Sequence, residues 1–166
     1  MSTSATEASA SPFACNQSHG VCIADALSRA EQICRSEGER FTELRRQVLQ
    51  LVWSDHKPVK AYDLLSALAA KRSGVAPATV YRTLDFLRDR GLVHKLESLN
   101  AYTGCAGPHN EHQGYFLICE RCQQIKELDS HPINQVLEKF ARQQRFLIKK
   151  ETVELAGICA DCLGEG

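Results

Sequence analysis

The sequence predicts an α+β chain in two parts: helices closed by a hairpin, then a small α/β unit built on a three-stranded sheet and held by cysteines. Three observations carry this. Apolar residues recur at helical spacing through the first half. Short apolar runs of strand composition occupy the second half. Two C-x-x-C pairs, Cys119-Glu-Arg-Cys122 and Cys159-Ala-Asp-Cys162, flank most of that second half.

Residues 1–23 are rich in Ser, Ala and Thr without periodicity and are expected to be a disordered tail. Cys15, His19 and Cys22 lie within it, either as thiols carried by a flexible tail or as an accessory metal site or redox pair. Residues 24–103 form the first domain. From Ala24 to Glu37, Leu27, Ala30, Ile33 and Cys34 share a helix face, and Gly38 ends it. Thr42 is a good N-cap for a second helix through Leu44, Val48, Leu51 and Val52. A third helix runs from Ala61 to Lys71 with Leu64, Leu65 and Leu68 inward. After a turn at Gly74, Pro77 starts a fourth, with Val80, Leu84 and Leu87 buried. Gly91 caps that helix. Two short strands follow, Leu92–Glu97 and Ala101–Thr103, around a turn at Asn100.

The third and fourth helices, joined by a tight Gly-containing turn, are a helix-turn-helix, and the hairpin after them is its wing. The fourth helix leaves Thr79, Tyr81, Arg82 and Thr83 off the core face near its N-terminus. A groove-reading helix needs that arrangement: a positive helix end near phosphates and an Arg fork for guanine. An ordinary amphipathic helix with a wet face has the same spacing. Tyr62, at the start of the third helix, is placed to touch DNA backbone or a thymine methyl.

Residues 104–166 form the second domain. Tyr115–Ile118 and Ile125–Leu128 read as two strands joined at a metal knuckle. Pro132 opens a helix with Ile133, Val136, Leu137 and Phe140 on one face, and a third strand spans Phe146 to Leu155. A C-x-x-C step places two thiolates on one tight turn, and two such turns supply the four soft ligands of a closed tetrahedral zinc site. Disulfides or buried thiols are the alternative. No apolar run approaches the length of a membrane span and no secretory h-region opens the chain. Eight cysteines in such a chain suggest metal or redox chemistry in the cytoplasm rather than a disulfide framework. Charges balance overall, yet residues 25–98 hold 13 Lys/Arg against 10 Asp/Glu, and residues 99–166 hold 7 against 9. A mildly basic first half beside a metal-rich second half suits nucleic acid without requiring it.

The ordered motifs then become specific. Ala78-Thr-Val-Tyr-Arg-Thr-Leu-Asp-Phe-Leu87, Gly91-Leu-Val-His94, His112 and the two cysteine pairs resemble the ferric uptake regulator family. His94-Lys-Leu-Glu-Ser98, Asn100-Ala-Tyr-x-x-Cys105 and Phe116-Leu-Ile-Cys-Glu-Arg-Cys122 are similar to its zinc-responsive branch. The resemblance spans about residues 25–163. It implies a winged-helix domain, a C-terminal dimerisation domain, and a homodimeric, metal-dependent repressor binding palindromic double-stranded DNA. Thr42-Glu43-Leu44-Arg45 departs from the family's Thr-Pro-Gln-Arg, keeping the cap without the proline. The His-rich stretch before the first cysteine pair is reduced to His109 and His112.

A sensor of this kind needs a second, weaker site. The resemblance points to His94 on the wing, Cys105 at the junction, His112 before the strand and Glu127 on the next strand, with His109 as a substitute ligand. Two imidazoles, one thiolate and one carboxylate suit tetrahedral zinc, whereas an all-N/O set suits iron. The expectation is about two zinc ions per subunit: a structural ion on Cys119, Cys122, Cys159 and Cys162, and a regulatory one. An iron- or peroxide-responsive regulator of the same family is the alternative. An enzyme is not expected, because both sites are furnished with protein ligands and no His-Glu-x-x-His or phosphate loop is present. Neither a membrane nor a small organic substrate is expected as a partner.

Overall fold

The computed structural model describes residues 19–55, 57–71, 74–105, 114–128, 131–149 and 151–164. Four helices open the chain: α1 (His19–Ser36), α2 (Glu43–Val52), α3 (Ala61–Lys71) and α4 (Pro77–Asp89). The first begins at His19, five residues before the expected start. Cys22, Ala26, Ala30 and Cys34 form a buried stripe at fourfold spacing along it. Small residues let α1 lie close against its neighbours, and a stripe of them carries a weak apolar signal in the sequence. Thr42 caps α2 as expected, its hydroxyl accepting from the Arg45 N–H.

The core of this half is Val48, Leu49 and Val52 from α2, Leu64 and Leu68 from α3, and Val80, Leu84 and Leu87 from α4. Helix α4 ends in a Schellman motif. The Gly91 N–H donates to Arg88 O and the Leu92 N–H to Leu87 O, with Gly91 at φ +65° where a side chain would be strained. That turn launches the hairpin β1 (Val93–Leu96) and β2 (Ala101–Gly104), paired antiparallel with His94 opposite Thr103. Val59, just before α3, adds to the hairpin by exchanging backbone hydrogen bonds with Tyr102. Helices α3 and α4 with this hairpin make a winged helix.

The second half is a three-stranded sheet ordered β4-β3-β5, from β3 (Tyr115–Cys119), β4 (Ile125–Leu128) and β5 (Val153–Gly157). β4 runs antiparallel to β3, and β5 runs parallel to it after a crossover through α5 (His131–Gln143). A single turn, α6 (Ala160–Leu163), closes the described chain. The third strand starts at Val153, not Phe146. Phe146 and Leu147 are apolar but exposed, so they continue the period without joining the ladder. On α5, Val136 and Phe140 are 52% and 61% exposed, so this apolar face is not buried within its own chain. Leu96, Phe116 and Ile118 pack together, with Leu99 and Ile125 against them, and join the hairpin to the sheet.

Candidate metal centres and DNA-facing helix

Cys119 ends β3 and Cys122 lies on the turn after it. The knuckle closes by hydrogen bonds from the Gln123 N–H to Cys119 O and from the Cys119 N–H to Gln124 O, with Gln123 at φ +61°. Cys159 caps α6 and Cys162 lies within it. The extended stretch at the end of β5 brings this second pair onto the first, because the Glu120 N–H donates to Gly157 O at 2.8 Å. All four sulfurs lie within 4.8 Å of one another. The Cys122 and Cys159 sulfurs are 3.7 Å apart, too far for a disulfide. That separation matches the edge of a tetrahedron with 2.3 Å zinc–sulfur bonds, about 3.8 Å. Among the described residues no cysteine is in a disulfide.

The thiols are unequal. Backbone N–H groups of Cys122 and Cys159 hold the Cys119 thiol down at about 6. The Cys162 thiol is pushed up to about 12, first by its hydrogen bond to Cys159 and then by burial. Four touching sulfurs do not all ionise unless a cation sits among them. The Arg121 guanidinium donates to the Cys162 carbonyl at 2.6 Å. The donor set fits zinc.

A second cluster lies at the joint between the halves. His94 on β1, Cys105 just past β2 and Glu127 on β4 bring their ligand atoms within 4.8 Å of one another. His94 Nε2 stands 3.0 Å from Glu127 Oε1. The His94 ring meets Phe116 edge-on at 5.1 Å, which sets its orientation. Cys105 is buried, with its N–H donating to Leu92 O. Three of the four expected regulatory ligands thus converge. His112 lies outside the described residues, as do His109 and Cys15, and the side chain of His19 is not described. A nitrogen, a sulfur and a carboxylate oxygen within reach of one ion suit tetrahedral zinc.

Two glycines frame this cluster. A Cβ on Gly114 would lie 2.3 Å from the Phe116 ring and 3.1 Å from His94 Nδ1. A Cβ on Gly104 would lie 2.2 Å from the ring of Trp53, the single tryptophan. Gly104→Ala is therefore expected to lower stability by about 1–3 kcal/mol through forced repacking. A lower melting temperature together with altered Trp53 emission is the expected readout, and an unchanged melt would show that the ring yields freely.

On the helix-turn-helix, Thr79, Tyr81 and Arg82 are exposed near the start of α4, and Tyr62 is 74% exposed at the start of α3. Thr83 is not among them. It is buried, its hydroxyl donating to Thr79 O at 2.8 Å. Residues 80, 83, 84 and 87 form the core stripe, and Thr83 falls inside it.

A winged helix whose wing meets a sheet at one cluster of metal-ligand side chains, with a four-cysteine cluster at the far end of that sheet, defines a class of metal-responsive winged-helix proteins. The chain belongs to the ferric uptake regulator family, whose model matches residues 36–156. It is 35% identical to the zinc uptake regulation protein of Escherichia coli (strain K12), over 84% of this chain and 82% of that one. A solved zinc uptake regulator complexed with zinc and DNA is 34% identical and superposes with a TM-score of 0.82, covering 86% of this chain and 96% of that one. The holo form of XcZur is 41% identical with a TM-score of 0.77, covering 84% and 98%. Its apo form, at 40% identity and coverage of 85% and 97%, gives only 0.50. At equal sequence likeness, the arrangement of this chain is nearer the holo form.

Proposed function

We propose that this chain is a zinc-dependent transcriptional repressor whose zinc-loaded homodimer binds palindromic operators and represses zinc-uptake genes in the cytoplasm. The observation that carries the reading is the convergence of His94, Cys105 and Glu127 from both sides of the joint. Similarity to the zinc uptake regulation protein and to a regulator complexed with zinc and DNA supports it. Cys119, Cys122, Cys159 and Cys162 hold a structural zinc, and His94, Cys105, His112 and Glu127 hold a regulatory one, giving two per subunit. Each zinc supplies a fixed double positive charge shared by its donors. The structural donors tie the end of β5 to the knuckle after β3. The regulatory donors tie the wing to the sheet only when the joint is closed, so a ligand that binds the closed arrangement better shifts the population toward it. Closed, the two recognition helices of a dimer are spaced for successive major-groove half-sites. The exposed apolar residues Val136, Phe140 and Leu155 are the kind of surface a second copy covers. A soft thiol at Cys105 favours zinc over iron. No helix among the described residues is long and apolar enough to cross a membrane. With both centres filled by protein donors, neither keeps the open position of a catalytic metal, and the chain acts as a regulator rather than an enzyme.

The direct test is DNA selection with and without added zinc, followed by sequencing of the bound pool. A palindromic motif enriched only with zinc is expected, and enrichment driven by iron instead would reassign the sensor. On that motif, Arg82→Ala is expected to cost about 1–3 kcal/mol and relax specificity at one position. A uniform loss across all sequences would make Arg82 a phosphate contact.

A further inference from the structure

The strand registers set Glu127, Phe116 and Glu154 side by side in one row across the sheet. Residues paired across neighbouring strands point to the same face. The wing lies over this row. His94 meets Glu127 at one end and Leu96 packs on Phe116 in the middle. At the other end, the turn after β1 meets Glu154. One carboxylate oxygen accepts the Glu97 N–H at 2.7 Å. The other accepts the Ser98 N–H at 3.0 Å and the Ser98 hydroxyl. The proposed regulatory centre uses only the Glu127 end.

We propose that Glu154 is a positioning residue for zinc-controlled DNA binding, a metal-independent latch that holds the tip of the wing in register on the sheet. The proposal rests on the reading of the His94–Cys105–Glu127 centre given above. A wing tethered at one end still pivots about that point, whereas tethers at both ends of the row remove the pivot. The carboxylate makes charge-assisted hydrogen bonds to neutral donors, stronger than neutral pairs. Its donors and acceptor belong to different halves, so opening the joint breaks the latch. It therefore stabilises the arrangement that gathers the regulatory ligands, and by linkage it tightens zinc there as much as zinc tightens the latch.

Glu154→Gln keeps the volume and removes the charge, while Ser98→Ala removes one donor and leaves both backbone bonds. The full-length dimer is titrated in zinc buffers against a duplex recovered by the zinc-dependent selection, with zinc content measured on the same samples. Hydrogen exchange at the Glu97–Ser98 turn is followed in parallel. Glu154→Gln is expected to keep its tightly held four-cysteine zinc and its melting temperature, to free the turn amides, and to move the zinc midpoint up about tenfold, within the usual range of such couplings. Ser98→Ala moves it less. A residue serving only general stability would lower the melt without moving the midpoint selectively. An unchanged midpoint with unchanged exchange overturns the latch. If wild-type DNA binding ignores zinc but Glu154→Gln still frees the turn and weakens DNA binding, the latch stands and the zinc reading of the centre falls.

Discussion

Cys119→Ser is expected to unfold or monomerise the C-terminal half. Cys119 ends the central strand β3, and its sulfur also accepts the Cys159 N–H at 3.3 Å. A serine hydroxyl is a hard, weakly acidic donor that does not replace a thiolate on zinc. Structural zinc contributes about 10–16 kcal/mol of apparent binding free energy, as much as the whole stability of an ordinary domain. β5 itself pairs with β3, but beyond it α6 has the Arg121–Cys162 hydrogen bond and little apolar burial to hold it: Leu155, Ile158 and Leu163 are exposed in the single chain. Loss of the metal therefore removes the main tie between the second cysteine pair and the sheet. Circular dichroism, gel filtration and zinc content on one preparation check this, with Cys159→Ser expected to behave alike. A well-folded, dimeric Cys119→Ser protein without zinc would contradict it.

The second large effect separates sensing from scaffold. Cys105→Ser and His112→Ala are expected to leave a folded dimer with its four-cysteine zinc intact. Cys105 is tied into the fold through its backbone N–H to Leu92 O, a bond the substitution keeps. Both variants lose the weaker zinc, so zinc content falls from about two toward one per subunit, the count for one closed and one sensing site. DNA affinity at saturating zinc is expected to fall about 5- to 150-fold, the usual range of such couplings. Glu127→Ala acts in the same direction but more weakly, since water replaces one carboxylate. Unchanged zinc dependence in Cys105→Ser would place the sensing site elsewhere, with Cys15, His19 and Cys22 next to test.

The helical half was legible because its signals are local. Thr42 capping α2, Pro77 opening α4 and the leucines of α3 act within a few residues of themselves. Thr83 was misread because a hydroxyl that satisfies itself on the helix backbone enters a core without an apolar signature. The start of β5 was misplaced because Phe146 and Leu147 are apolar without pairing. The convergence of His94, Cys105 and Glu127 was read from family motifs, since nothing in their spacing states that β4 faces the wing. Glu154 carried no signal at all. Its place opposite Phe116 depends on a parallel register between strands far apart in sequence, and two of its three donors are backbone N–H groups, which carry no side-chain signal.

The most direct measurement follows DNA affinity as zinc is added stepwise to protein carrying only its four-cysteine ion. The expected result is weak binding at one zinc per subunit and a steep rise as the second equivalent fills. Full affinity already present at one zinc per subunit would contradict a regulatory centre at the joint.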